Sequence, residues 1–469
     1  MEIPLCVDLD GTLIKGDSLA EGMVYLVKRS PFFVFRFIFW LFKGKAFLKA
    51  RVSGSLVGAN RVFFYNKDVL EWLHLQKLHG QQLFLVTGAD QTIASAVAQE
   101  TGLFDEVMAS NGIRNLTGKT KAESLVERFG RKNYDYLGDS SKDIAPCLSA
   151  RNTYLVTPSP ALLKQFRRRG IDAQTPWGNS PGSLTSLLKA SRPHQWSKNL
   201  LIFVAPLLAH RFEPTLWLQT LLAFLAFCLC SSGVYLLNDI IDLDADRKHT
   251  NKSRRPLAAG QLSLSLALII STLFMTAGLA ITLAVHPVLL IVMALYLTLT
   301  MAYSFRLKRS PIIDILVLAG LYTIRIVTGG IAAGVEISHW LLIFSIFFFL
   351  SLAFLKRHVE VSNMAENHKV PGRGYYGEDK LFLLVGGLNS GFLAVLVFLF
   401  YLTDRKALTL YHQPSLLILI CPVLIYWTGR LWLLAHRGQM HDDPIFFALR
   451  DWHSYLVGLA IGAIMFAAS

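Results

Sequence analysis

Cysteine is scarce in this chain of 469 residues, and the five cysteines present are scattered along it. None of them forms a CxxC pair or a spacing typical of zinc ligands, so the sequence indicates neither a disulfide framework nor a zinc site. Acidic residues are also few: 32 Asp and Glu stand against 46 Lys and Arg, a net charge of +14. The start of the chain lacks a basic segment followed by an apolar one, and we expect residue 1 to begin in the cytosol.

Charged residues make up only 17% of the chain, and hydrophobic residues make up 53%. This composition excludes a disordered protein, which needs few hydrophobic and many charged residues. From residue 1 to about 175, short apolar runs alternate with helical stretches, a pattern typical of an α/β domain. A segment rich in Pro, Gly, Ser and Asn predicts a linker at 176–190, after which residues 191–469 form a second domain.

The second domain is a succession of long apolar runs, and a bilayer-spanning helix needs about 20 such residues. Alternate loops hold most of its Lys and Arg, which by the positive-inside rule places these loops and the N-terminal domain in the cytoplasm. We predict an all-α bundle of nine transmembrane helices in a bacterial-type cytoplasmic membrane, with the C-terminus on the opposite face. The nine runs are about 195–210, 216–237, 264–285, 287–304, 312–334, 338–356, 381–403, 415–434 and 453–468.

A shorter apolar stretch, PFFVFRFIFWLF at 31–42, lies within the first domain. It is too short to span a bilayer, and Lys and Arg flank it on both sides. This mixture is typical of a helix lying in the headgroup region of a membrane. The alternative is a buried helix of the first domain, although its flanking cations would then need many partners.

Four polar motifs follow one another along the first domain. One strand ends in Asp8 and Asp10, and such a pair can attack phosphorus, protonate the leaving group and then activate water. The next strand ends in Thr87, whose hydroxyl can bind a phosphate oxygen. The remaining motifs supply two lysines at a helix start and two acids four residues apart: Lys119, Lys121, Asp139 and Asp143.

In these motifs, residues 1–170 resemble the haloacid-dehalogenase-like (HAD) phosphatases, which have an α/β (Rossmannoid) fold with a helical cap. The resemblance implies that Asp8 is the phosphoryl-accepting nucleophile and that Asp10 is the general acid and base. It implies Thr87 as a phosphate ligand, Lys121 or Lys119 as the neutralising cation, and an insert from about 17 to 69 as the cap. An inactive relic is the alternative. The implied ligands of Mg²⁺ are Asp8, Asp139 and Asp143.

The second long apolar run ends in LNDIIDLDADRKHTNKSRRPLAAG, residues 237–260. Carboxylates that share one face at a membrane boundary repel each other unless a cation neutralises them, so Mg²⁺ on a substrate diphosphate is a natural partner. Arg254 and Arg255 are candidates to hold the remaining phosphate charge. A solvated acidic helix end is the alternative. At 100° per residue, the residues on the shared face are Asn238, Asp239, Asp242 and Asp246.

These four residues resemble the NDxxDxxxD motif of the UbiA superfamily of intramembrane transferases, and the resemblance covers about residues 185–469. It implies a nine-helix bundle in which the four residues line a Mg²⁺-dependent diphosphate pocket. Classical members transfer a prenyl group to an aromatic acceptor and carry a second aspartate-rich motif after the sixth helix. This chain has cations there, such as Lys356 and Arg373, and no DxxxD. The change suits a substrate with more phosphate groups.

Segments 191–203 and 302–330 are more specifically similar to the polyprenyl-phosphate phosphoribosyltransferase branch. That branch takes phosphoribosyl pyrophosphate as donor and a polyprenyl phosphate, such as decaprenyl phosphate, as acceptor. Because an acceptor phosphate is already anionic at neutral pH and needs no general base, we interpret Asp242 and Asp246 at the catalytic centre as metal ligands rather than bases. Lys198 binds lipid phosphate or only reaches towards headgroups. The other candidates for contacts to substrate phosphates are Tyr303, Arg306, Lys308, Lys356 and Arg373.

Asp314 and Arg325 lie inside the fifth apolar run, and charges within a membrane are costly enough to indicate function. They are about three helical turns apart, which puts them on one face but too far apart to pair with each other.

We therefore expect a bifunctional membrane enzyme: a phosphoribosyltransferase whose product carries a 5-phosphate, fused to a phosphatase that removes it. The alternative substrates of the phosphatase are the released pyrophosphate and an unrelated soluble phosphate. The alternatives are an aromatic prenyltransferase using a prenyl diphosphate, and a lipid transporter with a regulatory phosphatase-like domain. The basic net charge suits membrane lipids and phosphorylated substrates, and a nucleic-acid partner has no support beyond that charge.

Overall fold

The computed structural model describes residues 3–30, 32–56, 63–178, 183–362, 364, 368–370, 372–403, 410–440 and 443–469. The chain divides into two compact units. Unit 1 comprises Met1–Arg192 and Tyr235–Thr272, and unit 2 comprises Pro193–Val234 and Leu273–Ser469. Part of the predicted second domain therefore belongs to the same compact unit as the N-terminal residues.

A six-stranded parallel sheet forms the core of unit 1, in the order β3-β2-β1-β4-β5-β6. β1 is central, since Leu5 pairs with Leu83 on one side and Asp135 on the other. The apolar runs of β1 and β2 are buried, as expected of parallel strands covered on both faces. The strands are β1 Leu5–Val7, β2 Leu83–Asp90, β3 Glu106–Ser110, β4 Asp135–Gly138, β5 Thr153–Leu155 and β6 Ala173–Gln174.

Helices connect and cover these strands, which confirms the predicted α/β organisation of the N-terminal part. They are α1 Ser18–Arg29, α2 Phe33–Phe42, α3 Lys45–Gly54, α4 Lys67–Leu78, α5 Gln91–Thr101, α6 Lys119–Phe129, α7 Ile144–Ser149, α8 Pro160–Arg168 and α9 Ser183–Ala190. Helix α9 lies inside the predicted linker 176–190, so that stretch is not a plain linker; its residues 179–182 lie outside the described residues.

The predicted insert 17–69 contains helices α1 to α3, which we name the insert helices; its residues 31 and 57–62 lie outside the described residues. The insert helices pack around a small core of their own that includes Leu26, Phe37 and Val52. Asp17 begins α1 by accepting a hydrogen bond from the amide of Ala20 at 2.9 Å, which satisfies a donor at the helix start.

The rest of the described chain is helical. After a 3₁₀ helix, Pro193–Phe203, the helices are α10 Val204–Leu208, α11 Pro214–Ile241, α12 Leu243–Lys248, α13 Leu264–Val285, α14 Pro287–Phe305, α15 Ile313–Ala332, α16 His339–Ser362, α17 Lys380–Tyr401, α18 Ile420–His436, α19 Pro444–Ala448 and α20 Trp452–Ala468.

Seven helices among the described residues are long and apolar enough to cross a membrane, and they coincide with seven of the nine predicted runs. The first predicted run, 195–210, is the 3₁₀ helix followed by the five-residue α10, and the ninth is the 17-residue α20. The chain is thus an integral membrane protein, and the count of nine spans stays a prediction. The seven are Pro214–Ile241, Leu264–Val285, Pro287–Phe305, Ile313–Ala332, His339–Ser362, Gly377–Tyr401 and Pro414–His436.

The junction between α11 and α12 carries the predicted acidic face. Helix α11 ends at Ile241, and Asp242 (φ −88°, ψ 8°) separates it from α12. The amide of Asp242 still donates to the carbonyl of Asn238, and that of Asp246 to the carbonyl of Asp242, both at 2.8 Å. Because these bonds keep the spacing of an α-helix, the residues stay on one side despite the break.

Candidate functional site

The first candidate site lies at the carboxyl edge of the sheet. Asp8 follows β1, Thr87 lies near the end of β2 and Asp139 follows β4. Since the strands are parallel, these ends meet at one edge, where α/β proteins bind ligands. The backbone after Asp10 turns through Gly11 with φ +79°, and a Cβ atom there would overlap the carboxylate of Asp139. Only glycine leaves room for both acids at this point.

Three carboxylates and one buried lysine meet in this site, and the lysine contacts two of the three. Asp8, Asp139 and Asp143 each offer an oxygen within 4.8 Å of the others. The Nζ atom of Lys121 lies 2.8 Å from Asp8 Oδ1 and 3.4 Å from Asp143 Oδ1. It also donates to the hydroxyl of Tyr136 at 2.8 Å. Lys119, the other candidate, is exposed, so the structure brings only Lys121 to the acids.

Burial raises the pKa of three acids in this site, Asp8, Asp10 and Asp139. Loss of hydration raises the pKa of Asp8 to about 6, although Lys121 opposes the shift. Burial, with the charge of Asp17, raises the pKa of Asp10 to about 7, so this acid can both give and take a proton near neutrality. The pKa of Asp139 is raised well above its usual value by burial and by the charge of Asp143.

The cluster fits a hard divalent cation. Oδ1 of Asp139 is buried and has no hydrogen-bond partner among the described residues, as expected of an oxygen that binds a metal ion. Carboxylate oxygens are also the ligands that Mg²⁺ prefers. The residues present therefore suit Mg²⁺, which would offset the repulsion that raises the pKa of Asp139.

A cavity of about 850 Å³ lies over this cluster, and we name it the Asp8 cavity. Its walls come from the strand ends, from helices α2 and α3, and from residues 257–265. Lys49 of α3 reaches across it and donates to the carbonyl of Gly88 at 2.5 Å and to Asn115 Oδ1 at 2.8 Å. Burial lowers the pKa of Lys49. The sequence analysis missed this cation, because nothing in the local pattern around it indicates that α3 folds over Thr87.

Arg247 is a second residue of the Asp8 cavity that the sequence analysis missed. Its Nη2 atom donates to the carbonyl of Lys15 at 2.6 Å and to Glu21 Oε1 at 2.7 Å. Its guanidinium lies 5.0 Å from the ring centroid of Phe64. The side chain is almost fully buried, so these contacts fix α12 against the N-terminal residues of unit 1.

The second candidate site is the acidic face of α11 and α12. Arg255 Nη1 lies 3.2 Å from Asp239 Oδ1 and 2.5 Å from Asp246 Oδ2, so the two acids lie on one side, as the helical wheel predicts. Arg192 also pairs with Asp239 and stacks over Tyr235. The structure thus contributes Arg192, which the sequence analysis did not select.

Asn238 and Arg254, two further residues predicted for this face, differ in their surroundings. Asn238 Oδ1 is buried and has no hydrogen-bond partner among the described residues, which fits a metal ligand. Among the described residues, the carboxylates of Asp239, Asp242 and Asp246 are not grouped closely enough to share one metal ion, so their role as Mg²⁺ ligands stays a prediction. Arg254 is exposed, in contrast to Arg255.

Unit 2 holds the remaining candidates, and two of its lysines share one carboxylate. Asp443 Oδ2 lies 2.7 Å from the Nζ of Lys356 and 3.2 Å from that of Lys198. Although burial opposes it, this pair of cations holds the pKa of Asp443 well below its usual range. Two positive charges against one negative charge leave a net positive site.

A buried network in unit 2 centres on Arg357, which the sequence analysis did not select. Arg357 Nε lies 2.6 Å from Asp314 Oδ2, and its Nη2 donates to the hydroxyl of Tyr303 at 2.6 Å. The hydroxyl of Tyr375 donates to Asp314 Oδ1 at 2.6 Å, and Arg373 Nη1 lies 3.1 Å from the Tyr303 hydroxyl. The network joins the predicted candidates Tyr303 and Arg373 to the intramembrane acid.

The other predicted residues of unit 2 differ in their surroundings. Arg325 donates to Asn199 Oδ1 at 2.8 Å, so it does not pair with Asp314, in line with their spacing. Arg306 is exposed, and Lys308 is half-buried.

Comparison with known proteins identifies relatives over nearly the whole chain. The model of the UbiA prenyltransferase family matches residues 200–455. The uncharacterized protein y4nM of Sinorhizobium fredii is 37% identical over 98% of this chain and 90% of its own length. The nodulation protein NoeC of Azorhizobium caulinodans is 33% identical over 59% of this chain and 91% of its own. A decaprenyl-phosphate phosphoribosyltransferase of Mycolicibacterium smegmatis is 37% identical over 40% of this chain and 61% of its own.

Proposed function

Because the chain belongs to the UbiA prenyltransferase family, we propose that it moves the 5-phosphoribosyl group of phosphoribosyl pyrophosphate to a polyprenyl phosphate. The observation that carries this proposal is the face on which Asp239 and Asp246 share the guanidinium of Arg255. Carboxylates interleaved with arginines suit a metal-bound diphosphate. The phosphoribosyltransferase among the relatives supports this choice of donor and acceptor.

The residues of unit 1 would hold the donor. Mg²⁺ held by Asn238, Asp239, Asp242 and Asp246 would supply positive charge to the departing pyrophosphate. Arg255 and Arg192 would exchange their carboxylate partners for phosphate oxygens, which a guanidinium can bind through two nitrogens.

The acceptor needs no general base, because a phosphate monoester is already anionic at neutral pH. Its oxygen forms a bond to C1 of the ribose while the bond from C1 to the pyrophosphate oxygen breaks. The aspartates of the acidic face would therefore act by binding Mg²⁺ rather than by transferring a proton. The proposed contacts to substrate phosphates are Lys198, Arg254, Tyr303, Arg306, Lys308, Lys356 and Arg373.

The first site supports a second activity, hydrolysis of a phosphomonoester, with the insert helices as its cap. An oxygen of Asp8 attacks phosphorus, the bond to the ester oxygen breaks, and Asp10 gives that oxygen a proton. Water then attacks the aspartyl phosphate and passes a proton to Asp10. Thr87 and Lys121 bind the phosphate oxygens, and Mg²⁺ held by Asp8, Asp139 and Asp143 would supply further positive charge.

The 5-phosphate of the transferase product is the substrate that links the two activities, since its removal makes the pathway move forward. In this proposal the membrane domain has nine spans, with the N-terminal domain in the cytoplasm and the C-terminus on the opposite face, so both sites meet their phosphorylated substrates on one side.

The test uses purified protein with Mg²⁺, a polyprenyl phosphate and ribose-labelled phosphoribosyl pyrophosphate, and resolves the lipid products by mass. We expect a labelled lipid that Asp242→Ala does not form and that keeps its 5-phosphate in Asp8→Asn. If no labelled lipid forms but label from a prenyl diphosphate is incorporated, the donor is wrong. If Asp8→Asn still yields the dephosphorylated lipid, the link between the two activities is wrong.

A further inference from the structure

One wall of the Asp8 cavity belongs to a membrane-spanning helix. Leu264 and Ser265 line the cavity, and they are the first two residues of α13. Helix α13 is 22 residues long and among those apolar enough to cross a membrane. A span of this length fills the hydrocarbon core, so its first turn marks the boundary of the membrane. The Asp8 cavity therefore lies at the membrane surface.

Contacts with residues near the N-terminus hold this wall of the Asp8 cavity in place. Arg247, seventeen positions before Leu264, is held by Lys15 and Glu21 through two charge-assisted hydrogen bonds. Gly260 lies against Lys15, where a Cβ atom would approach the Lys15 Cβ to 3.5 Å. Both ends of the segment from α12 to α13 are thus set relative to the strand that carries Asp8.

Helix α2 supplies another wall of the Asp8 cavity, and several of its large apolar side chains are exposed. Leu41 lines the cavity, while Phe35, Phe39 and Phe42 are 70%, 60% and 87% exposed. Of the residues in α2, only Phe37 is buried. A continuous exposed patch of this kind marks a surface that contacts a membrane or a partner.

The charges around α2 indicate a membrane as that partner. Exposed cations lie within α2 and directly after it, and two of them lie over aromatic rings of the helix: Arg36 is 5.1 Å from the Phe33 centroid and Lys43 is 5.0 Å from the Phe39 centroid. Aromatic side chains mixed with cations are typical of helices in the headgroup region of anionic bilayers. The first turn of α13 lines the same cavity, which gives the bilayer a fixed place beside α2.

We propose that the Asp8 cavity takes a lipid-anchored phosphomonoester from the membrane surface, with α2 lying among the headgroups. The phosphate reaches Asp8 and Lys121, and the apolar anchor passes the leucines that line the rest of the cavity. This inference rests on the proposed phosphatase activity and adds the route by which a lipid-anchored substrate reaches the site, along α2 at the membrane surface. The apolar lining includes Leu41, Leu48, Leu257, Leu262 and Leu264.

The test compares two substrates that share one phosphate-bearing group, the methyl and the hexadecyl glycosides of ribose 5-phosphate. Full-length protein is reconstituted in vesicles of phosphatidylcholine and phosphatidylglycerol, and release of inorganic phosphate is measured. We expect kcat/KM for the hexadecyl compound to exceed that for the methyl compound by on the order of tenfold or more, because the anchor concentrates it at the cavity.

The variant that tests α2 carries Phe35→Ser with Phe39→Ser, two exposed positions whose change leaves the core intact. Its preference for the hexadecyl compound should disappear, while hydrolysis of the methyl compound is unchanged. The matched control carries Leu75→Ser with Leu78→Ser, which removes two exposed apolar side chains from α4 of the same unit. The control should keep the preference.

The outcomes separate the two claims. If the wild-type protein releases phosphate from neither compound, the proposed phosphatase activity is wrong and this inference falls with it. If both compounds are hydrolysed equally well, or if the α2 variant keeps the preference, the phosphatase stands and the membrane-facing cavity is overturned. A control that loses the preference as fully as the α2 variant overturns it as well.

Discussion

The two carboxylate clusters of unit 1 are neutralised by different cations. At the sheet edge one buried lysine, Lys121, serves Asp8 and Asp143. On the acidic face two partly exposed arginines, Arg192 and Arg255, serve Asp239 and Asp246. An ammonium enclosed with its carboxylates holds a nucleophile in place, whereas a guanidinium at the surface can exchange a carboxylate for a phosphate. In the two proposed activities, the kind of cation would thus separate an acid that reacts, Asp8, from acids that bind a metal ion, Asp239 and Asp246.

The largest expected effect comes from removing the enclosed cation. Lys121→Met should lower phosphate release by about 10³-fold, because the phosphate loses a fixed positive charge in a site shielded from water. It should also destabilise unit 1 by about 3–5 kcal/mol, since buried carboxylates lose their partner. Lys119→Met is the matched control on the same helix and should be close to the wild type. A loss of activity in the control alone would contradict the assignment of Lys121.

A smaller effect is expected when Arg255, which is proposed to exchange a carboxylate for a phosphate, is replaced with lysine. Arg255→Lys keeps the charge but replaces the planar guanidinium, which offers several nitrogen donors to phosphate oxygens, with a single ammonium, and the labelled lipid should form about ten- to hundredfold more slowly. The figure follows from the loss of one hydrogen bond to a charged group, about 1.5–3 kcal/mol. Arg254→Lys, at the exposed neighbouring position, should change the rate little. Equal effects of the two substitutions would show that shape does not matter at this face.

Asp443 provides a third arrangement, in which one acid lies between two lysines. Substitution of this acid should have the smallest effect of the three. Asp443→Asn should lower the free energy of unfolding by about 1–3 kcal/mol, since Lys198 and Lys356 lose their shared partner. The pKa of this acid is lowered in the folded protein, so its contribution is full above its ordinary pKa of about 4. The stability difference between wild type and variant, measured by thermal unfolding in detergent, should shrink as the pH falls below about 4. A difference that grows on acidification would contradict the pairing.

Local patterns in the sequence were enough to predict the parts of the sites that regular structure brings together. Asp8 and Asp139 follow β1 and β4, Thr87 lies in the second half of β2, and parallel pairing alone collects them at one edge. The period of the α-helix likewise put Asp239 and Asp246 on one side, although α11 ends between them. Seven of the predicted apolar runs are long helices for the same reason, since length and hydrophobicity are local properties.

Contacts between distant segments could not be predicted in this way. Lys198 and Lys356 were selected as phosphate contacts, but both lie against Asp443, far away in the sequence. Lys49 and Arg247 enter the Asp8 cavity only because α3 and α12 pack where they do. A side chain's partner across such distances depends on tertiary packing, which no periodicity encodes.

Asp246 and Arg247 are consecutive residues of α12, yet one belongs to the acidic face and the other to the wall of the Asp8 cavity. The phosphatase-like part is therefore not a detachable module. A fragment cut after α9 would lack Arg247 and residues 257–265, and with them one side of its own cavity. The compact unit that contains the cavity extends to Thr272, so gene fission between these two parts would have to replace a missing wall.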